Sequence, residues 1–164
     1  MTEQEFSRLI SLYRETVFRT AFCYTKSYAD SEDISQEAFL KLYISEQHFE
    51  ADENIKAWLI TVTANLCKNL LKSRWYRLSE PFTEQADIPV FMKKTDDVLP
   101  LLMTLKPKFR TVLYMYYYEE YSVKEICSLL GESKTAVTTR LMRGRRQLRE
   151  LLIKEGYNER QEDN

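Results

Sequence analysis

The sequence predicts an all-α protein: two small helical domains joined by a flexible linker, the C-terminal one a helix-turn-helix. Three observations carry this. Apolar residues recur at spacings of three and four along most of the 164 residues, the period of a helix that buries one stripe. Only 3 glycines and 4 prolines occur, too few for the many tight turns of a sandwich or barrel. Residues 77–95, RLSEPFTEQADIPVFMKKT, break the pattern with two prolines, mixed charge and no sustained period, which predicts a linker.

Thr2 and Glu5 have the spacing of a capping box, and Phe6, Leu9, Ile10, Tyr13, Val17, Ala21 and Tyr24 then line one helix face. Asp30 or Ser31 is expected to cap a second helix, with Glu32 and Asp33 in its first turn, where the dipole favours acids. Its inner stripe is Ile34, Ala38 and Leu42. Residues 46–53 are polar and aperiodic and predict a loop. Ile55, Leu59, Val62, Leu66 and Leu70 carry a long third helix, and these three helices are expected to close a core of their own. After the linker, Val98, Leu99, Leu102 and Leu105 predict a short amphipathic helix. Pro107 suits the first turn of the next, which Val112, Leu113 and Tyr116 continue. Ser122 is expected to cap a further helix with Val123, Ile126, Cys127 and Leu130 inward. Gly131 ends it in the left-handed conformation easiest for glycine. Ser133 caps the last helix, whose core residues are Val137 and Leu141. The tail NERQEDN is polar, as expected of a frayed end.

Composition narrows the function. The chain is 44% hydrophobic and 30% charged, as in an ordinary soluble protein. No apolar run approaches the roughly 20 residues of a membrane span, so no membrane insertion is expected. The start, MTEQEFSRLI, is acidic and helical in pattern and predicts no signal peptide. Cys23, Cys67 and Cys127 are odd in number, far apart and in no CxxC unit; they point to a reducing cytoplasm and to buried small side chains. The single histidine, His48, has no ligand spacing with them, so neither a metal site nor a cofactor is expected.

Charge is distributed unevenly. The formal net charge is -1, yet Lys134, Arg140, Arg143, Arg145, Arg146 and Arg149 fall in one sixteen-residue stretch without an acid. A basic second helix after a glycine turn is what duplex DNA requires. Lys134, Thr135, Thr138, Thr139 and Arg140 lie on or near the outer side of its first turns, the part that meets base edges in the major groove. Arg143, Arg145, Arg146 and Arg149 lie further along, where phosphates are held. In the first domain, DSEDISQEAF (residues 30–39) is acidic and polar on its outer side. KNLLKSRWYR (residues 68–77) has four cations, Lys68, Lys72, Arg74 and Arg77, interleaved with Trp75 and Tyr76, a pattern that suits single-stranded nucleic acid. Core packing is the equal alternative for Trp75 and Tyr76, and the better reading for most of the Trp58 ring.

These motifs resemble, in order and over nearly the whole chain, the sigma factors of bacterial RNA polymerase, in the extracytoplasmic-function (ECF) group of the sigma-seventy superfamily. SEDISQEAFLKLY (31–43) is similar to the polymerase-binding helix of the family's second region. IKAWLITVTANLCKNLLKSRWYR (55–77) is similar to the helix that melts and reads the downstream promoter element. LLMTLKPKFRTVLYMYYYEEYSVKEICSLLGESKTAVTTRLMRGRRQL (101–148) is similar to the fourth region, which reads the upstream element. The resemblance implies residues 1–76 as region 2, 77–95 as linker and 96–156 as region 4. It implies that Asp33, Gln36, Glu37 and Phe39 dock on core polymerase. It places the downstream strand on His48, Asn54, Asn65, Lys68, Lys72, Arg74 and Trp75, and upstream DNA on Lys134, Thr135, Thr138, Thr139, Arg140, Arg143, Arg145 and Arg146. It further implies a specificity subunit that is not an enzyme, with core polymerase and promoter DNA, duplex and melted, as partners and an anti-sigma protein as a regulator. Two positions depart from the family pattern: Cys127 stands where alanine is usual, and Thr61, Thr63 and Leu66 surround Asn65 where an Arg-Asn pair is frequent.

Two other classes compete. A free-standing helix-turn-helix regulator would use only the C-terminal helix pair and leaves the acidic and aromatic-basic helices unexplained. A nucleic-acid enzyme would need a nucleophile and base, or clustered carboxylates. Glu32, Asp33 and Glu37 mimic such a cluster but have no nearby histidine or glycine loop.

Overall fold

A computed structural model describes residues 1–77, 88–89, 92 and 97–157, with backbone only at 74–77. Among the described residues the secondary structure is helical throughout: α1 (Glu3–Thr25), α2 (Tyr28–Ile44), α3 (Asp52–Arg77), α4 (Val98–Leu102), α5 (Pro107–Tyr117), α6 (Val123–Leu130) and α7 (Lys134–Lys154). The linker expected over 77–95 lies outside the described residues except at Arg77, whose backbone ends α3, and at Ile88, Pro89 and Met92. The tail from 158 onward lies outside them too.

Local chemistry sets the helix ends. The Thr2 hydroxyl accepts the Glu5 N–H at 3.1 Å, as the spacing predicts. The second helix departs from expectation: it starts at Tyr28, capped by Ser27, whose hydroxyl accepts the Asp30 N–H at 3.2 Å. Lys26 takes the left-handed conformation (φ 50°), so the chain reverses within two residues and the cap falls earlier than Asp30 or Ser31. Ser31 is then fully buried in the helix. Its hydroxyl donates to Ser27 O at 2.7 Å and lies 3.0 Å from that of Thr25. Pro107 occupies the first turn of α5, where its missing N–H costs nothing.

Helices α1, α2 and α3 pack on one another, and α5, α6 and α7 form a second group that includes α4. One apolar cluster, Leu9, Tyr13, Val17, Ala38, Phe39, Leu42, Ile55 and Leu59, belongs to the first three helices alone. The other runs through both groups. Phe18, Phe22, Ile60, Ala64 and Cys67 from the first pack with Met92, Leu102, Val112, Leu113, Ile126 and Leu130. The expected self-contained core is therefore only half of the arrangement. Helices α1 and α3 each have a second apolar side, and the C-terminal helices cover it. Met92, from within the expected linker, is itself buried in this shared cluster.

Within the second group α5 and α7 pack tightly at Gly144. A Cβ added to the buried Gly144 would lie 2.9 Å from Leu113 Cδ1 and 3.3 Å from Phe109 Cβ. Leu113 is itself fully buried and has nowhere to go. Replacing Gly144 with valine should lower the unfolding free energy by about 1–3 kcal/mol through overpacking, read as a lower urea midpoint.

Candidate nucleic-acid interface

The C-terminal helix pair is built by three reinforcing local signals. Ser122 accepts the Glu125 N–H at 3.1 Å while the Glu125 carboxylate accepts the Ser122 N–H at 2.7 Å, a complete capping box. Gly131 ends α6 with φ 64°, which any side chain would strain. Ser133 accepts the Ala136 N–H at 3.1 Å and starts α7. With Val137, Leu141 and Gly144 turned inward, Lys134, Thr135 and Thr138 are exposed and Thr139 and Arg140 half-buried. The Thr138 hydroxyl donates back to Lys134 O at 2.8 Å, so its lone pairs face outward as acceptors.

Arg143, Arg145 and Arg146 are exposed further along α7. Of these, Arg145 is held by contacts with α5. Its Nε donates to Tyr117 Oη at 2.6 Å, and its guanidinium lies 5.3 and 5.6 Å from the ring centroids of Tyr116 and Tyr117. Stacked this way, it is held in a fixed direction at the cost of part of its donor capacity.

On α3, a turn of 100° per residue puts Asn54, Thr61, Asn65, Lys68 and Lys72 within one narrow stripe. Asn54, Asn65 and Lys72 are exposed, and His48 is exposed on the preceding segment. The side chains of Arg74 and Trp75 lie outside the described residues. Trp58 is half-buried with its ring edge-on to Phe49, centroids 5.8 Å apart, the packing role expected of it.

Two residues of that stripe meet the C-terminal helix pair. Thr61 Oγ1 donates to Leu129 O at 2.9 Å. Lys68 Nζ donates to Leu130 O and lies 3.1 Å from Glu132 Oε1. The same Glu132 oxygen is 3.3 Å from Arg140 Nη1. Partial burial works against the Glu132 charge, but the Lys68 and Arg140 cations outweigh it and hold the carboxyl below its ordinary range. A depressed carboxyl pKa contributes stability that is complete above the unfolded value, about 4.5. That stability is lost as pH falls through the folded value. The stability difference between wild type and Glu132→Gln should therefore shrink as pH drops below about 4.5, seen in urea midpoints across a pH series.

On α2, Asp33, Gln36 and Glu37 are exposed, whereas Phe39 is 7% exposed and lines a groove between α1 and α2 with Phe6, Ile10 and Tyr43. The outer face continues past the acids into Leu40, Tyr43 and Ile44, exposed at 57%, 46% and 67%. These apolar residues escaped the sequence reading, though the i, i+4 pair Leu40 and Ile44 off the inner stripe was a usable signal. Cys23 and Cys67 are buried free thiols and Cys127 is half-buried. Burial raises the Cys23 thiol pKa and pushes that of Cys67 up to about 12, so both are inert. Among the described residues no group of three or more His, Cys, Asp or Glu could hold a metal ion. No described helix is long and apolar enough to cross a membrane.

A two-headed helical nucleic-acid binder is thus defined, with one basic face on α3 and another on α7. Residues 9–77 match the family description Sigma-70 region 2, and residues 96–148 match Sigma-70, region 4. The chain belongs to the sigma-70 superfamily of RNA polymerase sigma factors, in its ECF group. It is 23% identical to the ECF RNA polymerase sigma factor SigW of Bacillus subtilis, over 92% of this chain and 90% of that protein. It is 28% identical to the probable RNA polymerase sigma factor RfaY of Xanthomonas campestris pv. campestris, over 92% of this chain but 41% of that protein. Among solved structures it is similar to the sigma factor RpoE of Bartonella quintana, in complex with the anti-sigma factor NepR. The TM-score is 0.72 at 22% identity, covering 92% of this chain and 98% of that one.

Proposed function

We propose that this chain binds core RNA polymerase and directs promoter-specific transcription initiation, acting in the cytoplasm as a specificity subunit without catalysis of its own. The observation that carries the reading is the order of the two regions, each with its own basic helix face. Residues 1–76 act as the polymerase-binding and strand-opening domain, 77–95 as the connection and 96–156 as the upstream reader. Asp33, Gln36, Glu37 and Phe39 dock on polymerase, aided by the apolar continuation of α2 through Leu40, Tyr43 and Ile44.

The stripe on α3 receives the opened strand. Extruding a base costs a few kcal/mol of stacking, which contacts from His48, Asn54, Asn65, Lys68, Lys72, Arg74 and Trp75 offset. The first turns of α7, Lys134 through Arg140, read base edges, while Arg143, Arg145 and Arg146 hold phosphates. Two weak readers on one chain gain by effective concentration, so both elements must be correctly spaced. An anti-sigma protein is a further partner of this chain; RpoE was solved with one.

Runoff transcription with core polymerase on a promoter library tests the reading. The chain should direct starts at a defined subset of promoters. Arg140→Ala should change the preferred upstream sequence at a cost of about 1–3 kcal/mol, and Arg146→Ala should weaken all sequences alike. A chain that neither is retained by core polymerase nor directs where synthesis begins would refute it.

A further inference from the structure

Gly144 brings two side chains together that are far apart in the chain. It lets α7 lie against Leu113 of α5. Arg145 is the next residue along α7, and Tyr117 lies one helical turn beyond Leu113 on α5. The Arg145 guanidinium therefore reaches the end of α5. Its Nε donates to Tyr117 Oη at 2.6 Å. Its central carbon lies 5.3 Å from the Tyr116 ring centroid and 5.6 Å from that of Tyr117. The two ring centroids are 5.0 Å apart and the rings nearly perpendicular, at 77°. They form a corner that limits where the guanidinium can turn.

The holder of this arginine differs chemically from that of several others. Arg8, Arg19 and Arg140 are held by carboxylates, those of Asp52, Glu119 and Glu132. A carboxylate orients a guanidinium but offsets its charge toward any further anion. Tyr117 accepts a single N–H through an uncharged hydroxyl oxygen. Arg145 is exposed, and its Nη1 and Nη2 have no hydrogen-bond partner among the described residues. Those two nitrogens are a pair that can meet one phosphate in parallel bonds. Among the described residues neither Arg143 nor Arg146 has a comparable holder.

We propose that Tyr117 is a positioning residue for duplex binding: its hydroxyl fixes Arg145 through Nε and leaves both terminal nitrogens for one backbone phosphate. This deepens the proposed function and rests on its assignment of Arg145 to phosphate. An unheld arginine loses rotamer freedom when it binds, and one already fixed loses less. Tyr117 thus strengthens binding without adding a cation. It does so for all sequences alike, because a phosphate contact positions the protein and does not read bases. Tyr117→Phe removes only the acceptor and keeps the ring, on a side chain that is 51% exposed.

The test uses the full chain as wild type, Tyr117→Phe, Arg145→Ala and the double variant. Fluorescence anisotropy with a labelled mixed-sequence duplex gives affinity across a salt series. Arg145→Ala should lower the slope of log affinity against log salt by about 0.9, one phosphate contact. Tyr117→Phe should weaken binding roughly two- to tenfold, the worth of one hydrogen bond. With Arg145 already replaced by alanine, the same substitution should have little left to remove, and its effect should shrink below twofold. A change under twofold in Tyr117→Phe alone overturns the proposal. So does a loss that stays above twofold in the Arg145→Ala background, since a merely structural role would not depend on Arg145. A wild-type chain without measurable duplex binding, or an Arg145→Ala slope equal to that of wild type, counts against the phosphate assignment under the proposed function and removes this proposal with it.

Discussion

Arg110→Ala should weaken the union of the two halves by about 3–5 kcal/mol, through loss of a buried charged donor and the carbonyls it leaves unpaired. Arg110 is 3% exposed. Its Nε donates to Cys23 O at 2.5 Å, Nη2 to Tyr24 O at 2.9 Å and Nη1 to Leu105 O at 2.9 Å. Burial pulls its pKa down to about 10, so it remains charged at neutral pH. Cys23 and Tyr24 lie in the last turn of α1, whose final carbonyls have no partner within the helix and carry the negative end of its dipole. Arg110 supplies those partners from the other half of the chain. Hydrogen bonds to a charged group contribute about 1.5–3 kcal/mol each, and a buried carbonyl left without a donor costs about 1–3 kcal/mol.

The expected signature is a change in cooperativity as well as a loss. Wild type shares one apolar cluster between both halves and should unfold in one step. The variant should unfold its halves separately. Both tryptophans, Trp58 and Trp75, lie in the first half, whereas far-ultraviolet circular dichroism reports all helices. Urea curves from the two probes should coincide for wild type and diverge for Arg110→Ala. Coincident curves with an unchanged midpoint would show that the guanidinium does not couple the halves.

The second large effect concerns DNA. Replacing Arg143 and Arg146 together with alanine should lower the slope of log affinity against log salt by about 1.8, since each phosphate contact contributes about 0.9. At 0.1 M salt, with 1 M as reference, that corresponds to about a sixtyfold loss. Both residues are exposed on α7, away from the Val137, Leu141 and Gly144 face, so helix packing should be unaffected. The measurement is a salt titration of duplex binding. Arg8, held by Asp52 at 2.7 and 3.0 Å in the first half, serves as the control whose replacement leaves the slope unchanged. A double variant with the wild-type slope would place the phosphates elsewhere.

Much of the architecture was legible before any coordinates, for local reasons. The caps at Thr2, Ser122 and Ser133 and the left-handed Gly131 are decided by residues within three or four positions of one another. The Ser27 cap was missed because it depends on Lys26 adopting a left-handed conformation, which nothing about a lysine announces. The helical pairing of the C-terminal segment and its basic surface were readable from spacing alone. The stacking of Arg145 on Tyr116 and Tyr117 was not, because those residues are nearly thirty positions apart.

What the amino-acid order determined unaided was the helical period, most of the helix ends and the side of each helix that bears charge, since these follow from short-range spacing, while the ordered motifs carried the resemblance to the family. Tertiary structure alone decided that the two helical groups share a core, that Arg110 completes the end of α1, and that one glutamate holds a cation from each basic face. The polar contacts between the halves that carry them, Arg110 to Cys23 and Tyr24 and Lys68 to Glu132, join residues 64 to 87 positions apart. Such contacts depend on how apolar faces meet in space, and no local periodicity encodes that meeting.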